Sequence, residues 1–396
     1  MKKIAVLGGG QLGLMMIRSA IDFNIEVAVL DPNPEAPCAK HAAYFEVGDL
    51  NDFDTVYNFG KKFELITIEI EQVNTKALHK LSNEGIEVYP QPHIIEMIQD
   101  KRIQKQFYEK HNIPTSPFIL TDSLEDILTK SDFLPAVNKI GKGGYDGKGV
   151  QIMRNAEDLK KGFDAPGLME KLIDFQKEIA VIVARNKKGE IKAFPPVELV
   201  FHPTANLVEF LLAPAQISVE ISKKAIEIAT NLTENLSVIG LLAVEMFVTK
   251  EGEVLVNEIA PRTHNSGHQS IESNMTSQFE QHLRAILNWP LGDTSLIISS
   301  AMINLLGEEG HIGPAICEGL EDVLKVNGCH MHLYGKKITK PFRKMGHVTV
   351  RDKDINELKN KIDFVKKTIK FIRHQFFATF LLLEIFSKSY SNQEYF

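Results

Sequence analysis

Four apolar residues at positions 4–7 run directly into Gly8-Gly9-Gly10-Gln11-Leu12-Gly13, and an amphipathic stretch near 12–23 leads to a second apolar run at 26–30. An apolar run, a glycine turn and a helical period in that order make strand, crossover helix and strand, the βαβ unit of a parallel sheet. Further apolar runs near 64–70 and 86–89 flank a helical stretch at 75–83, and the pattern extends into a doubly wound domain over 1–95. The turn satisfies GxGxxG, and Asp31 closes the second strand where a dinucleotide-binding fold places its ribose-binding acid. Three readings stay open: a nicotinamide cofactor, a purely structural turn, or a phosphorylated substrate held by backbone N–H groups at a helix N-terminus.

Beyond residue 95 the pattern changes. A helix over 94–111 ends ahead of Pro114, since the residue before a proline leaves the helical region. A strand at 135–140, a glycine-rich loop, a strand at 150–154 and a helix at 156–162 capped by Asn155 then read as a lid, about 115–168, within a second domain over 96–290. Strands at 168–173, 178–185 and 190–201, a helix at 219–236 and a hairpin over 241–259 complete that domain. A third module, 291–396, has strands near 298–305, 323–334 and 346–351 and a helix near 354–371. The class is α/β.

A chain of 396 residues, 44% apolar and 24% charged, can bury two or three cores and excludes disorder. Its net charge of −6 is interspersed, without the basic block of a nucleic-acid binder. Cys38, Cys317 and Cys329 are odd in number and lack CxxC spacing, which excludes a disulfide framework and a zinc site and reads as reduced thiols in a cytoplasmic protein. The opening Met1-Lys2-Lys3 passes straight into a strand and is read as no signal peptide. The stretch 371–386 is rich in Phe and Leu but carries Arg373, His374 and Glu384, and it is shorter than the roughly 20 residues a spanning helix needs. It is expected to be a packing or dimer-contact helix, with no membrane as partner.

Residues 139–149 place five glycines and three lysines in eleven positions between two strands. Such a loop can close over a triphosphate, or it is a hairpin tip with solvated lysines; it is not the GxxxxGK[ST] loop. In the hairpin, an even-numbered turn would put Glu245 and Glu258 on one face. Two carboxylates among apolar neighbours repel unless each has a salt-bridge partner or both share a Mg²⁺ ion, which takes one or two carboxylates together with phosphate oxygens. The run Arg262-Thr263-His264-Asn265-Ser266 that follows has the groups to hold a small anion, and Lys336, Lys340, Arg343, Lys344 and His347 make a second cationic cluster or a solvated basic face.

GGGQLG at 8–13, GGYDGKG at 143–149, NEIAPRTHNSGH at 257–268 and RKMGH at 343–347 together resemble the 5-(carboxyamino)imidazole ribonucleotide synthetases, of the ATP-grasp class, in order and spacing over residues 4–351. The resemblance implies a preATP-grasp domain, an ATP-grasp domain with a lid, a small β-rich module, a homodimer, and carboxylation of aminoimidazole ribonucleotide with ATP and bicarbonate. It implies phosphate contacts at Lys139, Gly144, Tyr145, Asp146, Gly147, Lys148, Gly149 and Val150, and makes Lys101 the counterpart of a nucleotide-site arginine. It puts the adenine edge at Glu170, Lys171, Leu172 and Ile173, the ribose at Glu178, and further nucleotide contacts at His202 and Asn257. Magnesium, or manganese in its place, falls to Glu245 and Glu258, and bicarbonate to Arg262, His264, Asn265 and Ser266. The ribonucleotide falls to Gly10, Gln11, Leu12, Tyr145, Asp146, Lys336 and Arg343, with Asp146 also taking the amine proton.

Four positions depart from the family: Leu14 for an arginine, Lys101 for an arginine, Val150 for a glutamine and Phe342 for a glycine; the tail after about 371 resembles nothing in it. The competing functions are another ATP-grasp carboxylate–amine ligase, an NAD-dependent dehydrogenase that would leave Glu245 and Glu258 unexplained, and an ATP-binding regulator that would need neither His264 nor Asn265.

Overall fold

The computed structural model describes residues 2–144, 149–204 and 207–374. The chain opens with β1 (Lys3–Leu7), α1 (Gln11–Asp22), β2 (Glu26–Asp31), β3 (Tyr44–Val47), α2 (Phe53–Gly60), β4 (Leu65–Ile68), α3 (Thr75–Asn83) and β5 (Glu87–Val88). The five strands pair in parallel in the order β3-β2-β1-β4-β5. The central strands β2, β1 and β4 are covered on both faces and so read as apolar runs, with β4 buried at every position.

The expected helix over 94–111 is two, α4 (Pro92–Ile98) and α5 (Lys101–Lys110). Asp100 divides them. Its carboxylate accepts from Arg102 N–H at 3.0 Å and pairs with the Arg102 guanidinium at 2.7 Å, so it caps a new helix rather than continuing the old one. A four-stranded antiparallel sheet follows, ordered β6-β9-β7-β8, from β6 (Phe118–Thr121), β7 (Ala136–Ile140), β8 (Val150–Met153) and β9 (Gly167–Lys171), with α6 (Leu124–Leu128) beside it. Asn155 caps the turn that follows β8, as expected, but that turn is a short 3₁₀ helix, Ala156–Lys161.

The main sheet contains β10 (Phe175–Arg185), β11 (Ile191–Ala193), β12 (Val197–Phe201), β13 (Val208–Ala213), β14 (Gly240–Thr249) and β15 (Val254–Ala260), backed by α7 (Val219–Leu236). The single strand expected over 190–201 breaks at Pro195-Pro196, which lack the N–H groups a ladder needs. After α8 (Ser270–Ser273) and α9 (Gln278–Ile286), the sheet continues through β16 (Ser300–Leu306). Then come β17 (Gly313–Glu318), α10 (Leu320–Leu324), β18 (Cys329–Leu333), β19 (Ile338–Thr339), β20 (Lys344–Arg351), α11 (Ile355–Thr368) and β21 (Lys370–Arg373). Among the described residues the sheet has nine strands, β15-β14-β10-β12-β13-β16-β20-β18 with β11 beside β10, all antiparallel. A strand expected over 323–334 is instead α10 followed by β18.

The helix expected from 371 is not helical at its start: Phe371 lies in β21, which pairs with β17, and positions 375–386 lie outside the described residues. No described helix is long and apolar enough to cross a membrane. Where the three parts meet, the rings of His268, His347 and His332 stack at 4.7 and 4.4 Å. Tyr334 Oη bonds to His347 Nδ1 at 2.8 Å, and Arg18 from α1 donates to His332 Nδ1 at 2.9 Å. The arginine can only donate, so His332 carries its proton on Nε2 and donates it to Glu272 at 2.6 Å.

Candidate active site

Four residues separate β14 from β15, but Thr249 pairs with Glu253, so the turn that closes the hairpin has three, 250–252. Thr249 N–H donates to Glu253 O at 2.9 Å, and Gly252 closes the turn at a φ of +82°, a left-handed conformation suited to glycine. An odd loop pairs even positions with even, as in Val248 with Val254 and Met246 with Val256. On that register Glu245 would face Asn257, and Glu258 would turn to the opposite side of the sheet. A bulge between Glu245 and Met246 absorbs Asn257, and Glu245 comes to lie directly opposite Glu258. The two carboxylates do share a face, through a bulge rather than the even-numbered turn from which the sequence argument started.

That face borders a cavity of about 970 Å³ whose other walls are the four-stranded sheet and the loop 262–266. Lys101, Lys139, Gly144 and Val150 line it, with Glu170, Lys171, Leu172 and Ile173 at the end of β9. Glu178, His202 and Asn257 form the floor beside Glu245 and Glu258, and Arg262, His264, Asn265 and Ser266 close one end. Gly149 is not on the cavity wall; a Cβ there would fall 2.4 Å from Ile140 Cγ2, and its φ is +81°, so the base of the loop admits glycine alone. Tyr145, Asp146, Gly147 and Lys148 lie outside the described residues.

Gly10, Gln11, Leu12, Lys336 and Arg343 do not border this cavity. Gln11 and Lys336 nevertheless meet, with Lys336 Nζ donating to Gln11 Oε1 at 3.2 Å across 325 positions, so the first glycine turn and the third module do converge. The expected cationic cluster disperses. Lys344 faces the cavity, Arg343 donates to Ile338 O at 2.6 Å, Lys340 is exposed, and His347 is buried in the ring stack, which pushes its pKa well below 6.5.

Asp31 answers the nicotinamide reading. One carboxylate oxygen accepts from Gly9 N–H at 2.6 Å and the other from Asn33 N–H at 2.8 Å, so it serves its own turn. Glu69, buried beneath the turn, accepts from Leu12 N–H at 3.2 Å, and a Cβ on Gly10 would fall 2.3 Å from its carboxylate. Burial raises Glu69 to about 7.

The charges across the cavity are tightly coupled. Lys101 Nζ lies 2.5 Å from Glu258, and although burial opposes it, Lys101 and Lys139 hold Glu258 below the usual carboxylate range. Among the described residues Glu245 has no such lysine contact, and it is raised to about 7, first by burial and then by Glu258. Glu178 is raised to about 8 by burial and by Glu245. His264, lowered to about 3 by burial and by Arg262, is neutral; its Nδ1 bonds to Ser266 Oγ at 2.8 Å and its Nε2 lies 3.6 Å from Glu245. Arg262 is braced by Glu71, Nε to Oε1 at 2.8 Å and Nη2 to Oε2 at 3.0 Å.

Lys344, a member of the expected cationic cluster, reaches the cavity, whereas Glu71 and Lys105 are participants the sequence reading missed. A visible signal existed for both: Glu69 and Glu71 alternate with isoleucines at the end of β4, and Lys105 follows Lys101 by one helical turn.

A ribonucleotide synthetase preATP-grasp domain model matches residues 1–99, an ATP-grasp domain model residues 106–279, and a phosphoribosylaminoimidazole carboxylase C-terminal domain model residues 300–361. The N5-carboxyaminoimidazole ribonucleotide synthase of Bacillus subtilis is 35% identical over 90% of this chain and 94% of its own. The chain belongs to the N5-carboxyaminoimidazole ribonucleotide synthetase family. The crystal structure of the Thermotoga maritima synthetase superposes with a TM-score of 0.87 at 43% identity, covering 94% of this chain and all of that one. An Aspergillus clavatus synthase in complex with ADP and aminoimidazole ribonucleotide gives 0.85 at 31% identity over 92% and 98%. Against the chloroplastic phosphoribosylaminoimidazole carboxylase of Vigna aconitifolia, 38% identical, the chain spans 66% of the longer protein.

As a member of this family it is an ATP-dependent ligase of purine biosynthesis, and the resemblance drawn from its motifs is borne out. Two departures from the synthetase pattern have visible consequences. Leu14 packs against the apolar core around α1, and Phe342 holds the left-handed φ of +62° that explains a glycine there in other members.

Proposed function

We propose that the chain carboxylates the exocyclic amine of 5-aminoimidazole ribonucleotide, with ATP activating bicarbonate as carboxyphosphate. The observation that carries this is the pairing of Glu245 and Glu258 at a bulge, in one cavity with the lysine-glycine loop and with Arg262, His264, Asn265 and Ser266. A dehydrogenase needs none of these.

The donor set fits magnesium. Glu245 and Glu258 oppose each other on the cavity wall, where burial and then like charge raise Glu245, while no three described His, Cys, Asp or Glu side chains form a cage. Magnesium needs no cage, since it takes one or two carboxylates and completes its shell with phosphate oxygens and water. When bound between these two residues it supplies positive charge against the phosphates.

The chain's own groups do the rest. In this reading Lys139 and Lys142, on the cavity wall, offset charge that develops on the transferring phosphoryl group, and Lys148 does so on the family pattern. Glu178, raised to about 8, keeps a proton near neutrality and so offers a ribose hydroxyl both a donor and an acceptor. Glu71 fixes the plane of Arg262, which orients bicarbonate without having to be ordered on binding. Neutral His264 is aligned by Ser266 at the same end. Asp146 takes the proton released as the amine attacks, an assignment that rests on the family pattern. Gln11, with Lys336, and Arg343 contact the ribonucleotide in this reading, in which the chain works as a cytoplasmic homodimer; sedimentation tests the dimer.

The deciding experiment is phosphate release from ATP and Mg²⁺, with bicarbonate and aminoimidazole ribonucleotide added separately and together. Full turnover is expected only with both. Release that ignores the ribonucleotide but responds to another amine would leave an ATP-grasp ligase of different substrate.

A further inference from the structure

Lys105 is 1% exposed and does not border the cavity, yet it is a lysine, a side chain almost never fully buried without a strong partner. It sits one turn after Lys101 on α5, behind the β9 strand. Its ammonium lies 3.1 Å from Glu170 Oε1 and donates to Thr115 Oγ1, which in turn donates to Val256 O at 2.7 Å, next to the bulge residue Asn257. The other oxygen of Glu170 lies 3.0 Å from Lys139 Nζ, and Lys139 donates onward to Asn257 Oδ1 at 3.1 Å. One buried carboxylate therefore serves two lysines. Only one of those lysines, Lys139, faces the cavity.

We infer that Lys105 is a positioning residue for the nucleotide: by sharing Glu170 with Lys139, it leaves the cavity wall with a net positive charge that Glu170 alone would cancel. This rests on the reading of Lys139 as a phosphate contact. Three charges, two positive and one negative, leave one unit of positive charge in a poorly solvated wall. Without Lys105 the remaining Lys139–Glu170 pair is neutral, and Glu170 draws Lys139 back from the cavity. Over several ångströms at an effective dielectric near 20, one unit of charge is worth about ten- to thirtyfold in affinity for a polyphosphate. A merely structural ion pair makes a different demand: it needs both partners for stability and leaves affinity indifferent to the balance between them.

The test is made in the full chain, with MgATP and adenosine affinities measured by calorimetry and the thermal midpoint recorded for every variant. Lys105→Met, close in length and without charge, is expected to weaken MgATP about ten- to thirtyfold, raising KM for ATP more than it lowers kcat. Binding of adenosine, which carries no phosphate, is expected to stay within about threefold of the parent in the same variant. A folded Lys105→Met that loses affinity for adenosine and MgATP in equal proportion overturns the inference. Lys139→Met keeps the two levels of argument apart. If it weakens MgATP while Lys105→Met does not, the inference alone falls. If Lys139→Met binds MgATP normally, the nucleotide reading of this wall falls, and the inference with it.

Discussion

Phe342 is a β-region residue by preference held at a φ of +62°, with its ring set edge-on to His202 at 5.6 Å. A side chain in the left-handed region costs about 1–2 kcal/mol that glycine does not. Both Phe342→Ala and Phe342→Gly lose the ring, but only glycine relieves the backbone, so the glycine variant is expected to be about 1 kcal/mol more stable than the alanine variant in denaturant titrations. Equal midpoints would mean the left-handed conformation is unstrained here. Glu178 gives a pH test. Its folded pKa, about 8 against the usual 4.5, means the folded chain binds that proton more tightly than the unfolded chain. The stability this contributes is complete below about 4.5 and is lost as pH rises through about 8. Glu178→Gln lacks that dependence, so without nucleotide its thermal midpoint should gain on the parent between pH 5 and pH 9; a gap that is constant or reversed refutes the raised pKa. At this scale the motif residues were legible because their chemistry is written in their type. The spacing of Glu71 and Lys105 was visible but their roles were not, because each acts through a partner, Arg262 or Glu170, that lies far away in sequence.

Elements are where local and tertiary rules compete. α3 and α7 fall at the bounds their periodicity predicts, since each carries its own capping side chain, Asn74 or Ser218. The run 94–111 looked continuous because apolar spacing passes through the break, and the signal that stops it is a single cap. Asp100→Ala is expected to cost about 1–2 kcal/mol in unfolding free energy and Asp100→Asn less, because asparagine still accepts from the Arg102 N–H. If the two substitutions cost the same, the charge on Arg102 rather than the cap is what Asp100 supplies. The break also starts α5 at Lys101, whose N–H donates to Gly141 O at 2.8 Å, so one cap fixes a cavity lysine and the base of the glycine loop together. The hairpin makes a related point. Parity arguments from a turn hold only as far as the first bulge, and a bulge leaves no compositional trace, so Glu258 was assigned to the correct face from an incomplete premise.

For the whole molecule, the third module is no appendage, since β16 pairs with β13 and carries the main sheet on into β20 and β18. Pairings between strands some 90 positions apart follow from topology, which periodicity in one stretch cannot reveal. The same holds at the end of the described chain, where an apolar stretch read as the start of a helix begins as β21. Phe371 is 6% exposed in the core that holds Val348, Ile362 and Val365, and β21 pairs with β17 from Lys370 to Arg373. Phe371 O also accepts from Glu308 N–H at 3.0 Å. A truncation placed just before this strand, which the motifs alone would allow because all of them lie upstream, removes a buried aromatic side chain and leaves β17 with an open edge. Loss of one buried phenylalanine costs about 3–5 kcal/mol, before any lost strand pairing. The chain ending at 374 is therefore expected to exceed the chain ending at 369 by at least about 3 kcal/mol in unfolding free energy. Because β21 touches the module rather than the cavity, MgATP affinity should be equal in the two forms wherever the shorter one is still folded. Equal stabilities would show that β21 adds nothing to the core it borders. A folded shorter chain that failed to bind MgATP would show that the third module shapes the nucleotide site through the shared sheet.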